Sequence, residues 1–168
     1  DIIKNYVDIL IANEDEAEAF CGYRDEHKIM THLQDLAPVA ALKLGEKGSC
    51  VSYNNKVHRI KAQTDSPPVD TTGAGDLWAA GFLFGLVNGY AIEACGAMGS
   101  ACGYEVCRVV GAKIPDAGLE VILFGVGQHL HAAAQQVEAL LPQLVQGAIE
   151  ECLAGVLAQQ RVLLAGIV

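Results

Sequence analysis

Residues 69–85 read VDTTGAGDLWAAGFLFG: two aspartates and two glycines form a small turn that runs straight into an almost wholly apolar segment. Gly73 and Gly75 can take backbone angles denied to other residues, so successive amide N–H groups can face one concavity, which cradles an anion. The helix expected to start directly afterwards adds unsatisfied N–H groups and the positive end of its dipole to the same spot. A phosphoryl group held there is stabilised as charge builds on its oxygens. Asp76, at the start of the helix, is then placed to take the proton of an attacking hydroxyl as general base. The plainer account is the commoner one for an isolated GxGD: Asp76 caps the helix and the glycines make a tight turn. Neither GK[ST] nor a third glycine at dinucleotide spacing is present, which disfavours a P-loop and a dinucleotide-binding fold.

Working outward, LWAAGFLFGLVNGY is apolar on every side, and such a helix belongs in an interior, between a sheet and other helices. Upstream, YVDILIAN (6–13) and VAALKLG (39–45) are short, apolar and little interrupted, as expected of strands covered on both faces. Asn13 starts a helix over EDEAEAF, whose first-turn carboxylates suit the positive dipole end, and Gly22 ends it. In DEHKIMTHLQDLA (25–37), Ile29, Leu33 and Leu36 recur at helical spacing. SCVSY and KVHRIKA flank Asn54 and Asn55, residues that tolerate positive φ, so a β-hairpin is expected. AIEACGAMGSACGYEVCRV (91–109) reads as a helix of small residues that lets another helix or a ligand approach closely. Together these elements predict an α/β layered domain. From Phe124 the texture becomes rich in Ala, Leu and Gln and predicts two helices broken near Pro142. The expected division is therefore residues 1–124 as the α/β part and 125–168 as a helical tail.

The formal charge of −9 argues against nucleic acid or an anionic membrane surface as partner, since either prefers a basic face. Bound anions must then be held by local features. Six cysteines (Cys21, Cys50, Cys95, Cys102, Cys107, Cys152) lie in periodic or apolar segments without CxxC spacing, and read as reduced core thiols. His129 and His131 alone are thin support for a metal site. No secretory leader pattern is visible, and no apolar run reaches the ~20 residues that span a bilayer, so a cytoplasmic chain is expected. Both ends look cut in mid-element, which suggests a truncated or rearranged chain.

DTTGAGD leading into an apolar helix resembles the second signature of the ribokinase-like, or PfkB-type, carbohydrate and nucleoside kinases. Three more segments agree in order: IANEDEAEAF resembles that family's NxxE motif at Asn13 and Glu16, LKLGEKG its strand and turn that touch ATP phosphates, and RVVGAKIP its loop closing the nucleotide and cation sites. The resemblance covers residues 1 to about 120 and implies a partial three-layer α/β/α sheet domain. It implies Asp76 as catalytic base, with the amides of Gly73, Ala74, Gly75 and Asp76 as anion hole. Asn13 and Glu16 would organise magnesium and phosphate, largely through water, as that ion prefers. An N-x-x-E at a helix start is also a capping box, and both roles are compatible. Lys43, Gly45 and Gly48 match the ATP-contacting turn. Asp70 and Thr72, with carbonyls near Val109 and Gly111, match a monovalent-cation (K+) site. Gly99 and Cys102 match the adenine pocket, although helix packing accounts for them as well.

The resemblance leaves the family's front half, with most acceptor-binding residues, unmatched, and residues after about 124 match nothing in it. Two functions follow as expectations. One is an ATP-dependent kinase that phosphorylates a hydroxyl of a sugar or nucleoside, leaning to the adenosine-kinase-like branch. The other is a non-catalytic ATP-binding or assembly module, for which the apolar tail suits homo-oligomer packing.

Overall fold

The computed structural model describes residues 2–127 and 162–164. Two strands, β1 (Ile9–Asn13) and β2 (Val39–Lys43), pair in parallel, with Ile9 beside Val39 and Asn13 beside Lys43. All but the last residue of each is buried, which is why both read as unbroken apolar runs. β3 (Ser49–Tyr53) runs antiparallel to β2, and β4 (Lys56–Ile60) antiparallel to β3. Between them Asn54 and Asn55 both take positive φ, 51° and 59°, as a two-residue hairpin turn requires. β5 (Val162–Leu164) lies parallel to β1, giving the sheet order β4-β3-β2-β1-β5.

Alternation of side chains along the strands supplies two cores. On one face Leu10, Ala12, Ala40 and Leu42 meet helices α2 (Glu14–Cys21) and α3 (Glu26–Gln34) through Ala17, Ile29 and Leu33; a short α1 (Ile2–Tyr6) leads into β1. On the other, Ile9, Ile11, Ala41 and Val51 pack under α4 (Ala74–Val87) and α5 (Ile92–Cys107) through Trp78, Phe82, Leu83 and Cys95. A third cluster, with Leu77, Val106, Ile114 and Ile122, seats α6 (Asp116–Gly127) on this layer. The result is the expected α/β/α layering.

α4 is apolar all round because the sheet lies on one side of it and α5 on another. Phe82 is fully enclosed and stacks on Trp78 with ring centroids 5.1 Å apart. α5 approaches so closely that a Cβ on Gly81 would lie 2.8 Å from the Met98 carbonyl oxygen, and one on Gly99 2.8 Å from that of Trp78. The small residues of α5 are thus a packing requirement.

α6 runs without a break across residue 124. Residues 162–164, expected within a helical tail, form a strand, because Val-Leu-Leu can complete a parallel ladder with β1. The remaining tail residues, with Pro142, His129, His131 and Cys152, lie outside the described residues. Among the described residues the five cysteines are unpaired, and no helix is long and apolar enough to cross a membrane.

Candidate functional site

β1 and β2 end side by side, at Asn13 and Lys43, on the carboxyl edge of the sheet, where open α/β sheets take their ligands. Asn13 is the N-cap of α2. Its Oδ1 accepts the Glu16 N–H at 2.8 Å, and Glu16 Oε2 accepts the Asn13 N–H at 2.7 Å. The capping box is therefore real, and it fixes both side chains at the strand end.

After β2 the chain makes one 3₁₀ turn, Gly45–Lys47, closed by the Leu44 N–H donating to the Gly48 carbonyl at 2.8 Å. Gly48 has φ of 95°, and a Cβ there would lie 2.0 Å from the Ile60 carbonyl oxygen, so only glycine fits. Across the edge, Lys47 pairs with Glu14 at 3.1 Å and ties this turn to the start of α2.

The GAGD segment forms the first turn of α4. Gly73 is its N-cap, in the left-handed region at φ 79°, and a Cβ on it would lie 2.6 Å from Ala112 Cβ. Asp76 is not the cap, which disposes of the plainer account of that residue. It is the third helical residue, exposed, and among the described residues its carboxylate has no hydrogen-bond or ion-pair partner. The amides of Gly75 and Asp76 belong to the turn in which a helix leaves N–H groups unsatisfied. Ala74 differs from expectation: its N–H donates to the Thr71 carbonyl at 3.1 Å, because the tight turn into the helix closes on itself, so it is spent as an anion donor.

Lys43 reaches this turn from β2, its Nζ 3.5 Å from the Gly75 carbonyl oxygen. Among the described residues it has no carboxylate partner. A cation at a helix N-terminus faces a dipole end of its own sign. Two positive features thus lie close together, an arrangement that a bound anion would stabilise.

Asp70 joins the preceding loop to the segment after α5. It accepts the Thr72 N–H at 2.9 Å and the Gly111 N–H at 2.9 Å, and these two backbone donors, Gly111 first, hold its carboxyl below the usual carboxylate range. Val69 N–H donates to the Cys107 carbonyl at 2.7 Å beside it. Asp70 thus fastens the turn at Thr72 to Gly111, in the segment after α5.

A cavity of about 290 Å³ is walled by Lys43, Gly45 and Gly48, by Gly75 and Trp78 of α4, by all of residues 62–68 except Asp65, and by one face of α5; Asn13, Glu16, Asp70 and Asp76 are not on its wall. Its size is at the lower bound of small-molecule pockets. Gly99 and Cys102, expected on its wall, are not there; both face α4. Gly99 lies against Trp78 and the Cys102 sulfur against Gly81, where burial pushes the thiol pKa up to about 12. The α5 residues on the wall are Ser100, Gly103, Tyr104 and Cys107, followed by Arg108 at the helix C-cap. A helix turns 100° per residue, so a shift of one position exchanges the packing face for the ligand face. The polar residues Ser100, Tyr104 and Arg108, four apart, carried that phase in the sequence.

A family model described as pfkB family carbohydrate kinase matches residues 1–117. The chain belongs to this family. Among PfkB relatives, the ATP-dependent 6-phosphofructokinase of Thermoanaerobacterium thermosaccharolyticum is 36% identical over 113 residues, covering 66% of this chain and 35% of that protein. The structure of adenosine kinase from Sinorhizobium meliloti superposes with a TM-score of 0.67 at 33% identity, covering 76% of this chain and 38% of that one. Arabidopsis thaliana ribokinase, solved with ribose and ATP, gives a TM-score of 0.62 at 29% identity over 68% of this chain and 40% of that one. The fold is thus ribokinase-like, and the PfkB chain described here spans between a third and two fifths of the length of these relatives.

Proposed function

We propose that the protein takes part in ATP-dependent phosphoryl transfer to a hydroxyl of a sugar or nucleoside, and that this chain supplies the nucleotide side of the site. The observation that carries the reading is the convergence of the Lys43 ammonium on the first turn of α4, beside an unpartnered Asp76. Because Gly75 has no side chain, the ammonium can come close to this turn: a Cβ there would lie 2.8 Å from Lys43 Nζ.

In this reading the Gly75 and Asp76 amides and Lys43 neutralise charge on the transferred phosphoryl group. Asp76 accepts the acceptor's hydroxyl proton as the hydroxyl oxygen bonds to phosphorus and the bond to the ADP oxygen breaks. Magnesium keeps several waters and needs few protein ligands. Glu16, fixed at the strand end, would orient its water shell, and the ion would supply charge neutralisation between the phosphates. The carbonyls near Thr72, Val109 and Gly111 would hold K+, with Asp70 keeping the two segments together. Residues 62–68 and the α5 face would hold the base. The lean toward a nucleoside acceptor has support in the adenosine kinase likeness.

The test is ADP release by the chain with ATP, magnesium and a panel of sugars and nucleosides. Asp76→Asn should lower turnover by about 10²- to 10⁴-fold, the usual contribution of a general base, with ATP affinity kept. Unchanged turnover in Asp76→Asn refutes the base. A second reading is a non-catalytic nucleotide-binding or assembly module. ATP binding without release of ADP for any acceptor favours it.

A further inference from the structure

Residues 61–68, KAQTDSPP, follow β4 with no helix or strand of their own, yet they form one wall of the cavity through Ala62, Gln63, Thr64, Ser66, Pro67 and Pro68. A segment of this kind keeps its place only through bonds to a rigid element. Those bonds come from α5. Ser100 Oγ donates to the Lys61 carbonyl at 3.1 Å and accepts the Gln63 N–H at 3.1 Å, so one hydroxyl satisfies both backbone groups that flank Ala62. One turn further along, the Tyr104 hydroxyl is 2.9 Å from Ser66 Oγ. The next residue at the same spacing, Arg108, sets its guanidinium 5.9 Å from the Tyr104 ring centre and is held by the buried Glu105 carboxylate at 3.1 Å. Residues four apart on a helix share one face. Ser100, Tyr104 and Arg108 therefore form a stripe that faces the strap, while Gly99 and Cys102 face α4.

We propose that Ser100 and Tyr104 are positioning residues that fasten residues 61–68 as a wall of the nucleotide cavity, so that nucleotide affinity depends on these two hydroxyls. Neither touches the reacting atoms in this reading; both act through the strap. Pro67 and Pro68 stiffen the far end, since each fixes φ and lacks a backbone donor, which leaves the Lys61–Ser66 stretch dependent on α5. The proposal rests on the assignment of the cavity to a nucleotide, and its test separates the two.

The full chain is compared with Ser100→Ala, Ser100→Thr and Tyr104→Phe by hydrogen exchange at the Gln63 amide and by calorimetric titration with ADP and magnesium. Ser100→Ala should speed Gln63 exchange at least about tenfold, with exchange in β3 unchanged, and weaken ADP binding by about five- to tenfold, as for the loss of a hydrogen bond that orders a binding wall. Ser100→Thr, which keeps the hydroxyl, should restore both, and Tyr104→Phe should weaken ADP binding without altering Gln63 exchange. Gln63 exchange unmoved by Ser100→Ala, or moved with no change in ADP affinity, overturns the proposal alone. Failure of the unaltered chain to bind ADP overturns the nucleotide assignment and the proposal with it.

Discussion

Gly75→Ala separates the anion-site reading from simple helix stability, because the two pull in opposite directions. Gly75 is the second residue of α4, and an alanine there favours the helix, by up to ~1 kcal/mol in an interior and by about 0.5 kcal/mol in a first turn. For a chain of this size that is an increase in Tm of about 1–2 °C. The added Cβ would meet only Lys43, 2.8 Å from Nζ and 3.9 Å from Cε, and the end of a flexible side chain can retreat at little cost. That retreat withdraws the ammonium from the cradle while the methyl fills it. A hydrogen bond to a charged group contributes about 1.5–3 kcal/mol, so ATP affinity should fall by about tenfold to a hundredfold. Calorimetric titration with ATP and with adenosine, beside a thermal melt, reads all three effects. ATP binding weakens, adenosine binding holds, and Tm stays level or rises. In a Lys43→Met background Gly75→Ala should add little, because both changes remove the same contact. ATP affinity unchanged by Gly75→Ala refutes the reasoning, as does a parallel loss of adenosine binding and Tm.

Asp70 and the buried thiols give two further expectations. The Asp70 carboxyl is held below its ordinary range in the folded chain by the Gly111 and Thr72 amides, so it stabilises the fold above the unfolded-state value and ceases to do so as pH falls through the folded one. The Tm difference between the unaltered chain and Asp70→Asn should therefore be widest near neutrality and close below about pH 4; a gap constant from pH 7 to pH 3 contradicts the assigned bonds. Burial pushes Cys95 up to about 11 and Cys102 up to about 12, so at pH 8 neither is appreciably thiolate. A short iodoacetamide pulse followed by mass spectrometry should find the buried Cys95 unmodified in the native chain and the half-buried, protonated Cys102 modified more slowly than Cys21, with all three modified in urea. Native labelling of Cys102 at the rate of Cys21 would show that α4 and α5 do not close over it.

Much of this arrangement was legible because it rests on local chemistry. Asn54-Asn55 between two alternating runs specifies its own hairpin, Asn13 and Glu16 specify their own cap, and GAGD before an apolar run specifies the start of a helix. The parts that were not legible depend on which way a uniform surface turns. α5 carries small residues on nearly every side, so no hydrophobic stripe sets its rotation; the polar spacing of Ser100, Tyr104 and Arg108 alone marks the ligand face, and taken singly Gly99 and Cys102 look as fit for it as Gly103 does. The strap at 61–68 has no periodicity at all, and its partners lie 37 to 39 positions further along the chain. The commitment of the Ala74 amide to Thr71 could not be read from the glycines either, since it follows from the closure of one particular turn.

The chain contains one tryptophan, and the fold sets it on the wall of the cavity, stacked on Phe82 and covered by Gly99 of α5. The protein thereby carries its own optical reporter. A shift in indole emission tracks occupancy of that one hollow without any attached dye, and titrations can be followed at nanomolar to micromolar concentrations where calorimetric heat is too small to measure. Because the same ring bears on α5, its emission also registers any separation of the two helices, so filling of the hollow and loosening of its roof can be followed in a single spectrum.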